Sequence, residues 1–388
     1  MRSVTTLVPL PPSYRGGTEE YAYRVAGEVS KHRPVRVLTT RVREGHDRDP
    51  VPTGGATLET LEAFELWERP VVHGRKSREV LRKAVEDSSL LHLHMPFPFV
   101  ERRLTRWAAE AGVPTVLTYH MDAHFGGRAM QGLVNSAYRK LSAEPALERA
   151  SVAVSNSMGY ARASPVLSRH LEKVRVIHKG VDLNRLGLGT EASGAADASP
   201  LPAAWSEATG PKLLFVGRLV PYKGLPVLIE GFARYRARAN SGTLFIAGRG
   251  PQERRLREQV QRAGLTAHVH FLGFVPDRWL GRLYQEADLV ACTSVSLLES
   301  TPTALEEAAA LGTPILGPRL PGIEESLPIE GGRGALVAPY DIDGASREIA
   351  RLLKEGVRAA PAQPRSWSAV AEEYLQLYEE LERNRPGG

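Results

Sequence analysis

The chain has 388 residues, 42% of them hydrophobic and 24% charged, with a net charge of +6 and one cysteine, Cys292. That length predicts two compact units of globular composition, and no run approaches the ~20 uninterrupted apolar residues of a membrane span. The lone cysteine excludes an intramolecular disulfide and a cysteine-based zinc cluster and fits a reducing compartment, so a cytoplasmic location is expected; dispersed basic residues and only 7% aromatics argue against a nucleic-acid partner.

The N-terminal MRSVTTLVPLPPSY lacks a small-residue cleavage pattern and reads as a first strand. A helix across EEYAYRVAGEVSKH follows, then the strand-like runs VRVLTT, LLHLHM, TVLTYH, SVAVSN and VRVIHKGV. Short β-branched runs alternating with amphipathic helices are the pattern of a doubly wound parallel sheet, which predicts a Rossmann-like domain over residues 1–186. Residues 187–210 are rich in Gly, Ala, Ser and Pro and read as a linker or exposed loop. A second Rossmann-like domain is expected over 211–365, beginning with KLLFVGR and continuing through TLFIAG, VHFLG, LVACTS, PILGP and GALVAP. A final helix over 366–388 places Val370, Tyr374, Leu377, Tyr378 and Leu381 at helical spacing and needs a surface to pack on. Two such α/β halves imply a cleft, and ligands of these folds bind outside the carboxyl ends of the strands.

Four motifs sit at such strand ends. Gly16 and Gly17 follow the first strand, where backbone can approach an anion, although a tight turn explains paired glycines equally well. In FVGRLVPYKG, Gly217, Arg218 and Lys223 follow a strand; a forked guanidinium and a mobile ammonium suit a diphosphate, the alternative being solvated surface cations. In LLESTPTALEE, Thr301 is read as an N-cap with Pro302 as first helical residue, or Thr303 and Glu306 as a capping box. Glu307 would then lie in the early turns, in reach of polyol hydroxyls, with Glu299 just outside the helix; a dipole-favouring Glu299 and a solvated Glu307 are the plainer reading. His120, in TYHMDAH, is expected to make a polar contact facing the cleft; the lesser alternative is a metal, for which the H-x3-H pair of His120 and His124 supplies two imidazoles and Asp122 a third ligand only if the loop allows it.

Taken together, GGTEEYAYRVA, TYHMD, VSNSM, VIHKGVD, LFVGRLVPYKG, FIAGRGP, VHFLGFVP, the E-x7-E pair and LEEAAALGTPILG resemble the retaining glycosyltransferases of family 4 across almost the whole chain. The resemblance implies the GT-B fold, two doubly wound Rossmann-like domains facing a central cleft, with the last helix crossing back to the first domain. It implies a hexosyl transfer from a UDP- or GDP-sugar to a saccharide or lipid-linked hydroxyl acceptor in glycan or glycolipid assembly, without a metal or other cofactor. An epimerase or sugar-phosphate synthase of the same fold, and a catalytically silent nucleotide-sugar-binding protein, are the alternatives. Arg218 and Lys223 match the cations that hold the donor diphosphate, Glu299 the acid on the donor sugar and Glu307 the acid on the ribose. The backbone at Thr301, Pro302 and Thr303 would line the phosphate, with Gly217 in the cation loop. Gly16 and Gly17 match the glycine loop beneath the diphosphate, His120 lies near the transferred sugar, and Phe274 and Val275 meet the nucleobase. Ser300-Thr301-Pro302 replaces the common Gly-Phe-Gly, and Arg249 stands where an acid is usual. The segment FGGRAMQGLVNSAYRKLSAEPALERA, with Arg128, Arg139 and Lys140 among apolar residues, offers peripheral contact with the inner face of a membrane or a lipid-linked acceptor, against the plainer reading of a solvated helix face.

Overall fold

The computed structural model describes residues 3–14, 16–42, 50–66, 69–125, 131–186, 201–327, 329, 331–358, 360 and 364–385. The chain divides into two compact units, Met1–Gly180 with Arg365–Gly388, and Val181–Pro364.

The first unit carries strands β1 (Ser3–Leu7), β2 (Val35–Thr40) and β3 (Thr57–Leu61), a small antiparallel pair β4 (Ala63–Leu66) and β5 (Arg69–Val72), then β6 (Ser88–Met95), β7 (Thr115–Tyr119), β8 (Val152–Ser155) and β9 (Val174–Val176). Seven of these form one parallel sheet in the order β3-β2-β1-β6-β7-β8-β9. Parallel strands are covered on both faces, and β6, SSLLHLHM, is accordingly buried at seven of its eight positions. The strand order reverses between β1 and β6, where doubly wound sheets open a crevice for ligands.

The final helix, Trp367–Arg383, starts at Ser366, whose hydroxyl accepts from the Ala369 amide at 3.1 Å. It buries Val370, Ala371, Tyr374, Leu377 and Tyr378 in one cluster with Tyr21, Ala22 and Val25 of the helix Gly17–Val29, while Leu381 is only partly covered. Its apolar stripe thus completes the core of the first unit. The basic segment forms a helix at Gln131–Tyr138, a π-helical turn at Arg139–Ala143 and a helix at Glu144–Arg149, with Leu133 and Leu141 exposed. Arg139 faces Glu144 at 3.8 Å, and Arg128 lies outside the described residues. Among the described residues no helix is long and apolar enough to cross a membrane.

The second unit holds β10 (Lys212–Val216), β11 (Thr243–Ala247), β12 (Val269–Gly273), β13 (Leu289–Ala291), β14 (Ile315–Pro318) and β15 (Gly334–Val337) in a parallel sheet ordered β12-β11-β10-β13-β14-β15. Its order reverses between β10 and β13. Residues 201–210 differ from the linker expected of 187–210: they carry the helix Ala203–Glu207, and the Trp205 indole is fully buried against Phe245, with Nε1 donating to Glu286 at 2.9 Å. One large aromatic side chain anchors a segment whose average composition suggests a spacer. Residues 187–200 lie outside the described set.

Candidate functional site

In the second unit the loop after β10 and the loop after β13 flank the reversal point and are locked together. Gly224, at φ 66°, sits so close to Thr293 that an added Cβ would lie 1.9 Å from the Thr293 carbonyl oxygen. Only glycine combines that left-handed backbone with that approach. The Thr293 hydroxyl donates to the Gly224 carbonyl at 3.0 Å, and the Val295 amide to the Tyr222 carbonyl at 2.8 Å. Lys223 is thereby set against Glu299, with Nζ to Oε2 at 2.5 Å.

Glu299 is buried, and the same oxygen also accepts from the Ser294 hydroxyl at 2.8 Å. Burial works against a charged Lys223, but Glu299 more than offsets it and holds the ammonium above the ordinary lysine range. Burial in the same pocket raises the Cys292 thiol, which therefore stays protonated at neutral pH. Arg218 is exposed and makes no ion pair among the described residues. Gly217 opens that loop, its amide donating to Ala247 at 2.9 Å.

The helix Thr303–Ala310 begins between the two starts expected, one residue after that of a Thr301 cap and one before that of a Thr303 cap. Pro302 is the N-cap, with φ −77° and ψ 91°, and its carbonyl accepts from the Leu305 and Glu306 amides. Neither a Thr301 cap nor a Thr303–Glu306 capping box forms, because the extended Pro302 backbone moves the helix start past Thr301 and leaves Thr303 inside it; the helix has no side-chain cap. Glu307 is not on an exposed face. It is buried, ion-paired with Arg185 Nη2, and its Oε2 accepts from the Tyr284 hydroxyl at 2.9 Å. Arg185 Nη1 also bonds Asp277 at 2.8 Å, so one guanidinium ties the segment after Gly180 to two helices. Phe274 and Val275 follow β12 at the same edge, Phe274 half-buried and Val275 buried. Lys223, Glu299, Thr301, Pro302, Thr303 and Glu307 thus belong to one side of one unit, the carboxyl ends of β10 and β13.

In the first unit Gly16 is the N-cap of the helix Gly17–Val29, and a Cβ there would press on the Glu19 carboxylate, whereas one on Gly17 would meet open space. His120 follows β7 and is buried; its Nε2 is 2.9 Å from Nδ1 of His94 on β6. Burial lowers its pKa to about 3, so it is neutral at neutral pH. Asp122 accepts from Tyr119 and Ser164 hydroxyls, each at 2.8 Å, and among the described residues no three His, Cys, Asp or Glu side chains are grouped to hold a metal ion.

Sequence reasoning missed Arg185, Tyr284, Asp277 and Ser294, which fix the acids, and His92 and His94, which surround His120. For the histidines a signal existed: H-x-H in a strand puts both rings on one face. Nothing local marks Tyr284 as a partner of Glu307.

Residues 203–372 match the family described as glycosyl transferases group 1, and residues 15–185 match glycosyltransferase family 4. D-rhamnosyltransferase WbpZ of Pseudomonas aeruginosa is 29% identical over 303 residues, covering 76% of this chain and 71% of that protein. The phosphatidyl-myo-inositol mannosyltransferase of Mycolicibacterium smegmatis is 27% identical over 353 residues, 88% of this chain and 82% of that protein. The crystal structure of HepE from Anabaena in complex with UDP and glucose has a TM-score of 0.67 at 19% identity, over 98% of this chain and 100% of that one. Two parallel Rossmann-like sheets, the fold of these neighbours and matches along nearly the whole sequence agree: the chain has the GT-B fold and belongs to the group 1 glycosyltransferases of family 4.

Proposed function

We propose that this glycosyltransferase moves a hexosyl unit from a UDP- or GDP-sugar to a saccharide or lipid-linked hydroxyl acceptor with retention of anomeric configuration, using no metal. The observation that carries the reading is the buried Lys223–Glu299 pair beside the reversal point of the second sheet, with Glu299 in the loop that leads into the helix N-terminus after Pro302. As the sugar–phosphate bond breaks, negative charge develops on the departing diphosphate. A lysine held protonated, the exposed Arg218 and the amide N–H groups of Thr301 and Thr303, with the Pro302 backbone between them lining the phosphate, meet that charge, and such stabilisation is usually the largest part of catalysis. Glu299 orients the sugar hydroxyls, and Glu307, its carboxylate fixed by Arg185 and Tyr284, accepts from the ribose; Gly217, Phe274 and Val275 line the nucleotide, with Gly16 and Gly17 beneath the diphosphate and His120 beside the sugar. An acceptor hydroxyl attacking on the leaving-group face has its proton next to the newly charged phosphate oxygen, so no side-chain base is required.

HepE was crystallised with UDP, which makes uridine compounds the first to test. In a thermal-shift panel of UDP, GDP and ADP with their sugars, one base series is expected to stabilise the protein by about 2.7 kcal/mol at a hundredfold excess over Kd. No shift with any of them at millimolar concentration refutes the donor reading. With the donor found, an inverted anomeric proton coupling in the product refutes retention.

A further inference from the structure

The His94–His120 pair has a directionality that the surrounding contacts decide. Parallel pairing of β6 with β7 sets His94 opposite Thr118, and the ladder continues through the His120 amide to the Met95 carbonyl, bringing the two rings side by side with planes within 20°. Nδ1 of His94 and Nε2 of His120 are 2.9 Å apart, so one of them carries the shared proton. Burial keeps both rings neutral.

The rest of the enclosure discriminates between the two cases. His92 is committed elsewhere, with Nε2 at 2.7 Å from the Thr118 hydroxyl and Nδ1 at 2.6 Å from the Tyr378 hydroxyl. Tyr21 meets His120 in a T-shaped ring contact, and its hydroxyl bonds that of Tyr374 at 3.0 Å. Nε2 of His94 is buried and has no hydrogen-bond partner among the described residues. If His120 were the donor, neutral His94 would bear its proton on Nε2, leaving an N–H buried with nothing to accept it. If His94 is the donor, only a lone pair is left there. Orphaned buried donors are rarer than under-used acceptors, and the bond at one imidazole nitrogen fixes the protonation of the other.

We propose that His94 is a positioning residue: its Nδ1–H donates to Nε2 of His120, so that His120 turns a protonated Nδ1, a hydrogen-bond donor and not a base, toward a saccharide oxygen at the carboxyl end of the first sheet. The sugar contact rests on the reading of His120 given under Proposed function; the proton's position does not. Nδ1 of His120 makes no bond among the described residues and is the ring nitrogen left for a ligand. A donor there holds a hydroxyl or ring oxygen without removing its proton.

The test is long-range 1H–15N correlation on the full chain labelled at histidine, without ligand, with the two residues assigned through His94→Asn and His120→Gln. The expected result is protonated Nδ1 and bare Nε2 on His120, and protonated Nδ1 on His94. Protonated Nε2 on His120 overturns the proposal while leaving the donor reading untouched. Asparagine places an amide N–H close to where His94 holds Nδ1–H, so His94→Asn is expected to keep the His120 pattern, and His94→Leu to lose it. With the nucleotide sugar that stabilises the protein as substrate, His94→Leu is expected to lower kcat at least tenfold with KM within twofold, and His94→Asn to retain most of it. A His94→Leu variant with an unchanged His120 pattern also overturns the assignment.

Discussion

Changing Glu299 to Gln removes the carboxylate that faces Lys223 at 2.5 Å and leaves an ammonium whose side chain is 15% exposed. Breaking one partner of a buried pair costs about 3–5 kcal/mol, because the survivor remains charged and uncompensated. In a unit of this size the loss corresponds to roughly 6–20 °C in Tm. Lys223→Met is expected to cost a similar amount through the opposite orphan, the Glu299 carboxylate. The double variant Lys223→Met/Glu299→Gln removes both charges and is expected to recover most of the stability, yet it transfers no sugar. The assay is urea unfolding of the full chain, with amide exchange in β10 and β13 reporting on the second unit. Glu299 holds Lys223 above its ordinary pKa, so the contribution of the lysine's charge is complete up to about pH 10 and is lost only as pH rises past that point. Cycles run at pH 7 and pH 8.5 should therefore agree. A cost below about 1 kcal/mol for Glu299→Gln, the level of an exposed pair, refutes the reasoning. So does a double variant that keeps its turnover.

Two further predictions concern the first unit, and their pH dependences have opposite signs. Burial holds His92 and His120 at about 3, while in the unfolded chain both titrate near 6.5; between those values the unfolded state binds more protons, so stability falls on acidification by about 1.4 kcal/mol per pH unit for each ring. Urea midpoints for β6 and β7 at pH 7 and pH 5 check this, and equal values count against a neutral cluster. Glu101 is fully buried, accepts from the Tyr138 hydroxyl at 2.5 Å, and burial raises its pKa to about 8. Its contribution is complete below the usual carboxyl range and is lost as pH rises toward 8, opposing the histidines, so Glu101→Gln is expected to shift the stability difference between pH 5 and pH 8 in favour of pH 8. An unchanged difference in the variant contradicts a protonated Glu101.

What could be read from the chain alone follows the range of the interactions. Lys223, Glu299 and Glu307 stand at strand-to-helix turns, and their types and spacing are visible within a few residues. What makes them a site comes from far away: Arg185 is 122 positions from Glu307, and Tyr284 is 23. The start of the helix Thr303–Ala310 was misjudged because Thr301 and Thr303 each suit a cap and Pro302 suits the first helical position, and only the extended backbone at Pro302 makes that residue the cap. Strands β3 and β4, in TLETLEAFEL, are largely exposed and carry charge, so their pattern lacks the apolar run that marks a buried strand. Trp205 was overlooked for the opposite reason, a single anchor among small residues.

The placement of the helix Trp367–Arg383 has a consequence for biosynthesis. The hydroxyl of Tyr374 meets Tyr21 and Thr118, and that of Tyr378 meets His92, so polar groups of the first 120 residues receive their partners from near residue 380. All of the second unit, Val181–Pro364, is made in between. During translation the opening half of the chain waits with wet tyrosines and histidines for a segment not yet synthesised. The stretch made first is thus the one whose core closes only with the segment made last.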